Sequence, residues 1–498
     1  MQPTVTVDQG QLRGRVLGGV AAFLGVPYAQ PPFGALRFQA PIPAEAWPGV
    51  RDALDYGPTV PKPPYPAPVD ALLPEPVVPG EDCLNLNVWA PARSLSGGGP
   101  ALPVLVWIHG GAFVNGTGAV PTYDGSAFAR DGVVCVTVNY RLGVDGFGAV
   151  DGAPANRGLL DQIAALAWVR DNIAAFGGDP GAVTVAGESA GAMSVATLMA
   201  LPAARGLFGR AILQSGGGHH VLTAATAAEV TAEIASRLGV APTVDGLSSV
   251  PVADLVTAQS QVAAFIAGTP NPGRWREITV NSMAFEPVID GELLTGRPID
   301  AIAAGAAAGV EVLLGTNTDE HALFLVPNGF AAVVGEPLLR AVLQGLGADA
   351  DRVLEAYRRN RPAATPGELL IAVLTDWFFR IPAVRIAEAR ADGATATYVY
   401  EFGWDSPQFD GRLGACHALE VGFTFDNLAD PAGAALAGEH PPQQLATDMH
   451  AAWVAFVTSG APGWPAYGAD RAVRYFGDHA EVGHDPRGDE RAVWDGIR

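Results

Sequence analysis

The stretch VTVAGESAGAMSV, from Val183 to Val195, decides how the chain folds. Its first residues, Val183 to Gly187, are apolar and β-branched and read as a buried strand, whereas Ser189 to Ala200 (SAGAMSVATLMA) reads as a helix. Gly187-Glu188-Ser189-Ala190-Gly191 lies at the junction. A serine on a strained strand-to-helix turn has its hydroxyl lifted clear of the sheet. Glycines on both sides let strand and helix pass closely.

Outward from that turn the same alternation repeats. VLVWI (Val104 to Ile108) and VVCVTVN (Val133 to Asn139) are short, nearly continuous apolar runs, the mark of strands buried on both faces. Further strands are expected at Arg210 to Gly216, Val310 to Thr316 and Thr397 to Phe402. Between them, DQIAALAWVRDNIAAFGG carries Ile163, Leu166, Val169, Ile173 and Phe176 at helical spacing, with Gly177 as a stop. Strand alternating with helix implies an α/β protein with a large, mostly parallel central sheet flanked by helices. Residues 320–395 look mostly helical and are expected to form a cap-like insertion over the site. No repeat or linker is visible, and open sheets of about 8 to 15 strands absorb long chains, so residues 1–498 are read as a single domain. The proline-dense segment Pro61 to Gly80 is expected to be a surface loop.

With 49% hydrophobic and 16% charged residues, the chain can bury a large core. Its formal charge is −21, and Lys62 is its only lysine. So acidic a surface repels phosphate backbones and anionic lipid, which argues against a nucleic-acid or membrane partner. The start MQPTVTVDQG lacks an apolar run behind basic residues, and no apolar stretch approaches bilayer length. The three cysteines, Cys83, Cys135 and Cys416, are too few and odd in number for a disulfide framework. A soluble protein of the cytoplasm is expected.

A serine hydroxyl is a weak nucleophile and needs a histidine base, itself oriented by a carboxylate. For this kind of turn the chain order is serine, acid, histidine. That leaves His321, His417, His440, His450, His479 and His484 as bases. His417, in LGACHALE soon after the strand Thr397 to Phe402, is the best placed. The acid should also follow a strand, and LLGTNTDEHALF offers Asp319 and Glu320, which the residues alone do not separate. Charge developing on an attacked carbonyl oxygen requires backbone donors, which His109-Gly110-Gly111-Ala112-Phe113 after Ile108 can supply.

The chain resembles the type B carboxylesterases, the family that includes the cholinesterases, nearly end to end. The resemblance rests on ordered blocks: FLGVPYAQPPFGALRF, EDCLNLNVW, VWIHGGAFVNG, VNYRLG, VTVAGESAGAMSV, LQSG, PVIDGELL, GTNTDE and LGACHALEVGF. It implies an α/β-hydrolase fold and hydrolysis of small carboxylic esters, with no metal or organic cofactor. It implies Ser189 as nucleophile, Glu320 rather than Asp319 as acid, and His417 as base. Backbone N–H groups of Gly111, Ala112 and Ala190 would form the oxyanion hole. Ser215 would support the triad from behind, and Arg37 with Glu81 and Arg141 with Asp161 would form buried ion pairs. The chain departs from secreted relatives in lacking a partner for Cys83, which should be a buried free thiol.

Other features have plainer readings. Glu188 beside the nucleophile is expected to tune the local field, His109 to support the oxyanion loop, and the adjacent His219 and His220 to line a pocket or loop rather than hold a metal. Trp377, Phe378 and Phe379 are expected mainly in the core. HGGAFVNGTG lacks the lysine and Ser/Thr ending of a phosphate loop. Two rival functions are a non-catalytic adhesion protein, disfavoured by the filled triad positions, and an interfacial lipase, disfavoured by the acidic balance. The residues leave monomer or small homo-oligomer open.

Overall fold

A computed structural model describes residues 2–97 and 99–498. Its centre is an 11-stranded sheet, whose strands we number in chain order. They are β1 (Arg15–Leu17), β2 (Val20–Pro27), β3 (Asn85–Pro91), β4 (Leu102–Ile108), β5 (Val134–Val138) and β6 (Gly178–Glu188). They continue with β7 (Arg210–Gln214), β8 (Glu311–Asn317), β9 (Thr397–Phe402), β10 (Ala472–Phe476) and β11 (Ala480–His484). The spatial order is β11-β10-β9-β8-β7-β6-β4-β5-β3-β2-β1. The run from β5 to β10 is parallel and both flanks are antiparallel. This is the α/β-hydrolase architecture. A separate small sheet is formed by Thr4–Val7, Gly10–Arg13 and Val50–Asp52.

The reason the parallel strands read as unbroken apolar runs is visible in the core. Along β4, Val104, Val106 and Ile108 join the hydrophobic cluster on one face, while Leu105 and Trp107 join that on the other. Val312 and Leu314 of β8 divide from Leu313 in the same way. Period-two alternation is therefore hidden, because both faces are covered.

The sheet also fixes where a site must form. β4 pairs with β5 on one side and β6 on the other, so the connections leave the carboxyl ends of β4 and β6 in opposite directions. The crevice so opened is the usual ligand position in open α/β sheets. Here it receives the His109 loop and the Ser189 turn.

Predicted strands and helices occur close to where they were expected. Helix α1 (Arg157–Asn172) begins before the apolar spacing suggested and ends in a 3₁₀ turn, Ile173–Phe176. Residues 320–395 are largely helical, including a π-helical turn at Asp376–Arg380. Arg141 and Asp161 form a buried, two-pronged ion pair at 2.7 and 2.8 Å. Arg37 does not pair with Glu81. Its Nε contacts Asp145 at 2.9 Å, and Nη1 donates to the Val250 carbonyl at 2.8 Å, so the guanidinium faces Asp145 and the Leu247–Val250 turn rather than the EDCL turn. The segment Pro61 to Gly80 is irregular apart from a short helix, Val69–Leu72, but it does not simply lie on the surface: it folds over the crevice.

Candidate active site

At the end of β6 the chain turns into α2 (Ala190–Ala200), and Ser189 takes φ 56° and ψ −125°, a strained conformation for a residue with a side chain. The turn survives because its neighbours over-determine it. The Ser189 N–H donates to the Gln214 carbonyl at 2.9 Å, and the Ser189 carbonyl accepts from Met193 N–H at 2.9 Å. A Cβ on Gly191 would lie 2.0 Å from the Ile108 carbonyl oxygen, so only glycine lets α2 cross β4 here. Ser189 stays half-buried and open to the crevice.

Opposite it, the loop after β4 is built around left-handed residues: Gly111 has φ 111°, Ala112 51° and Phe113 61°. Asn115 N–H donates back to the Gly111 carbonyl at 2.8 Å. Among the described residues, the N–H groups of Gly111, Ala112 and Ala190 donate to no protein acceptor. Free N–H groups at a helix start and in a tight turn are ready receivers of negative charge. His109, fully buried, stacks on Tyr140 with ring centroids 4.5 Å apart, and its Nδ1 lies 2.8 Å from the Gly110 carbonyl. Burial holds its pKa down at about 3, so it is neutral support for the loop.

The third wall comes from β8 and the turn that follows β9. His417 Nδ1 lies 2.6 Å from Glu320 Oε2, and Glu320 Oε1 accepts from the Asn317 N–H at 2.8 Å. Asp319 points elsewhere: its carboxylate accepts from the Thr318 hydroxyl at 2.7 Å and from Ala415 N–H. Of the other histidines, His450 contacts Thr424 and Asp131, His440, His479 and His484 are exposed, and His321 packs among Phe324, Phe378 and Phe379.

His417 is flanked by more negative charge than a triad needs. Glu188 Oε1 stands 3.0 Å from Nε2, at ion-pair distance without hydrogen-bond alignment. Burial alone would lower the imidazole pKa, but Glu188 and Glu320 outweigh it and hold the group well above its usual range. A third carboxylate was not singled out in the sequence. Glu420, fully buried, accepts from Asn317 Nδ2 at 2.6 Å and Gln214 Nε2 at 3.1 Å. Burial, then Glu188 and Glu320, push its pKa up to about 8. Its signal was an acidic residue three positions after His417. Ser215 has a buried hydroxyl with no hydrogen-bond partner among the described residues, so it makes no direct bond to Glu320 or His417.

These groups share a cavity of about 150 Å³ whose lining includes Ser189, His417, Glu188, Gly111 and Ala112. Phe324, Tyr123 and, from the proline-dense segment, Tyr65 and Glu75 also line it, as do Leu419 and Leu436 from the stretch after His417. Phe379, on the π-helical turn, rests against His417 at 4.6 Å but does not line the cavity, and Trp377 is packed on Trp494. His219 and His220 are also absent from the lining, with His220 stacked beside Phe378.

The profile of the Carboxylesterase family matches residues 1–476. The chain belongs to this family. It is 39% identical to para-nitrobenzyl esterase of Bacillus subtilis, covering 98% of this chain and 97% of that one. It is 38% identical to phenmedipham hydrolase of Pseudarthrobacter oxydans, covering 97% of each. A crystal structure of a Geobacillus stearothermophilus carboxylesterase superposes with a TM-score of 0.86 at 38% identity over 99% of both chains. The protein is a serine carboxylesterase, a carboxylic ester hydrolase. No helix among its described residues is long and apolar enough to cross a membrane.

Proposed function

We propose that Ser189, His417 and Glu320 carry out the hydrolysis, on neutral alkyl or aryl esters, through an acyl-enzyme. The observation that supports this most directly is His417 itself: one ring nitrogen is held by Glu320 at 2.6 Å, and the residue lines the cavity that Ser189 also lines. As Ser189 Oγ bonds to the ester carbon, its proton passes to His417 Nε2 and the carbonyl electron pair moves onto oxygen. The N–H groups of Gly111, Ala112 and Ala190 receive that oxyanion. Its collapse breaks the bond to the alcohol oxygen, which leaves with the proton from Nε2. Water then repeats the attack on the acyl carbon, His417 again taking and returning the proton, and the acid departs from a regenerated Ser189. Glu320 stays ionised throughout and stabilises the imidazolium.

The lining of the cavity favours uncharged substrates with short to medium acyl groups, since apolar side chains dominate it and its carboxylates repel anions. Residues 320–395 serve as a cap in this reading, with Phe324 on the cavity wall and Phe379 behind the histidine. Three buried free thiols suit a reducing cytoplasm. A sulfonyl fluoride should label Ser189 stoichiometrically with complete loss of ester hydrolysis, and Ser189→Ala should retain the fold while losing turnover. Labelling elsewhere, or an active alanine variant, rejects the assignment.

A further inference from the structure

The only lysine of the chain is buried at the junction between the proline-dense segment and the loop after β4. Lys62 Nζ donates to the Gly116 carbonyl at 3.2 Å and the Pro76 carbonyl at 3.4 Å, and lies 3.6 Å from Glu75 Oε1. The same Glu75 carboxylate accepts from the Gly116 N–H. One ion pair thus grips both the donor and the acceptor of a single residue. That residue lies close against the oxyanion loop and must be glycine: Gly116 has φ 101°, and a Cβ there would sit 2.1 Å from His109 Nδ1 and 2.2 Å from the Gly110 carbonyl oxygen. Next to it, Asn115 Nδ2 donates to the Pro63 carbonyl at 2.6 Å, and Asn115 N–H closes the turn onto Gly111.

We propose that Lys62 and Glu75 are positioning residues for ester hydrolysis: they clamp the segment 62–76 onto Gly116 and thereby hold the Gly111 and Ala112 N–H groups at the place where the oxyanion forms. Burying an ion pair costs desolvation that its attraction barely offsets, so stability alone is a weak reason to keep one. The side-chain exposures are only 2% for Lys62 and 8% for Glu75. A compact ammonium with three donors serves two carbonyls while keeping a carboxylate at ion-pair distance around one point, which the planar fork of arginine does not. That geometry gives a reason for a single lysine in a chain whose other permanently cationic side chains are all arginine. Oxyanion donors act only when pre-aimed, so a small displacement of this loop should weaken binding of the transition state and spare that of the substrate.

The inference rests on Ser189 as nucleophile and on Gly111 and Ala112 as donors, and one set of inhibitors separates the two levels. An aryl trifluoromethyl ketone adds to a serine Oγ and gives a tetrahedral oxyanion, whereas the matching trifluoromethyl carbinol cannot. In the unmodified enzyme the ketone should form an adduct that Ser189→Ala abolishes; no adduct at Ser189 would overturn the nucleophile reading itself. In Lys62→Met, kcat should fall about ten- to hundredfold with KM within about threefold. Removing one such donor outright costs about 10² to 10³ in kcat, which sets the upper end. Ketone affinity should fall by the same factor as kcat and carbinol affinity should hold within about twofold. Glu75→Gln should give the same pattern and serves if Lys62→Met does not fold. Equal loss of ketone and carbinol affinity, or a change in KM alone, would overturn the clamp and leave the segment as a mere wall of the cavity.

Discussion

Two facing walls of the cavity are held in different ways. The wall bearing Ser189 and the His109 loop grows from the ends of β6 and β4, whose ladder pairs Ile108 with Gly187. The facing wall, residues 61–80, has no sheet partner. It is closed at its base by Thr59 and Val78, whose backbone N–H and carbonyl bond at 2.9 Å, and fastened at its middle by Lys62, Glu75 and Asn115. Reacting groups sit where backbone pairing fixes them, and the surface that meets the rest of the substrate sits where only side chains do. Substitutions of the reacting groups on the first wall should therefore cost kcat about 10³-fold or more, those at the Lys62–Glu75 fastening about ten- to hundredfold, and those of the substrate-facing side chains of the second wall should appear as smaller differences between substrates.

The sharpest test on the strand side compares adjacent carboxylates. Glu320→Gln places an amide N–H against Nδ1, forces the imidazole proton onto Nε2 and removes the charge that stabilises the imidazolium. A fall of about 10³ to 10⁴ in kcat is expected. Asp319→Asn, which alters only contacts to Thr318 and Ala415, should cost less than about tenfold. Steady-state kinetics of the two variants on one p-nitrophenyl ester decide it. Equal losses would mean that the turn between β8 and the helical region acts as a unit.

This difference between the walls also explains what was legible in the sequence. GESAG and HGGAF announce themselves because the sterics of a tight turn dictate residue type within five positions. Strands β4 to β9 were legible from unbroken apolar runs. The partner of Arg37 was not, since Asp145 lies 108 positions away and no local pattern marks it. Nor was the role of residues 61–80: prolines forbid regular pairing but say nothing of where the segment rests. Glu420 lies within LGACHALEVGF, yet its importance comes from proximity to Glu188 and Glu320, which only the assembled sheet creates.

On the second wall the expected effect is smaller. Tyr65 lines the cavity with Tyr123 and Phe324, so aromatic faces are present, but no tryptophan lines it. Each cation–π contact contributes about 0.5 to 2 kcal/mol, with tryptophan the best partner. The charge of −21 raises the encounter rate of cations, an effect that salt screens. A p-nitrophenyl or simple alkyl butyrate should exceed butyrylcholine in kcat/KM by at least about tenfold, roughly 1.4 kcal/mol of transition-state stabilisation. Parity at physiological ionic strength would mean that Tyr65 and Tyr123 form a competent cage. In that case Tyr65→Ala should abolish the choline activity selectively.

The smallest effect concerns the acid limb of the pH profile. A general base works only when deprotonated, so activity is lost as pH falls through the pKa of His417 in the free enzyme. Burial pushes that pKa down, but Glu188 at Nε2 and Glu320 at Nδ1 override it and push it well above the ordinary imidazole value. The acid limb of kcat/KM should therefore lie above 6.5, the usual imidazole position. Glu188→Gln removes one of the two negative charges and keeps the side-chain volume. It should move the limb to lower pH, toward 6.5, while changing the alkaline plateau by no more than a few fold, since Glu188 is not the residue that holds Nδ1. Profiles of kcat/KM on a non-ionising ester, for the parent enzyme and Glu188→Gln, check both. An unmoved acid limb would show that Glu320 alone sets the basicity of the histidine.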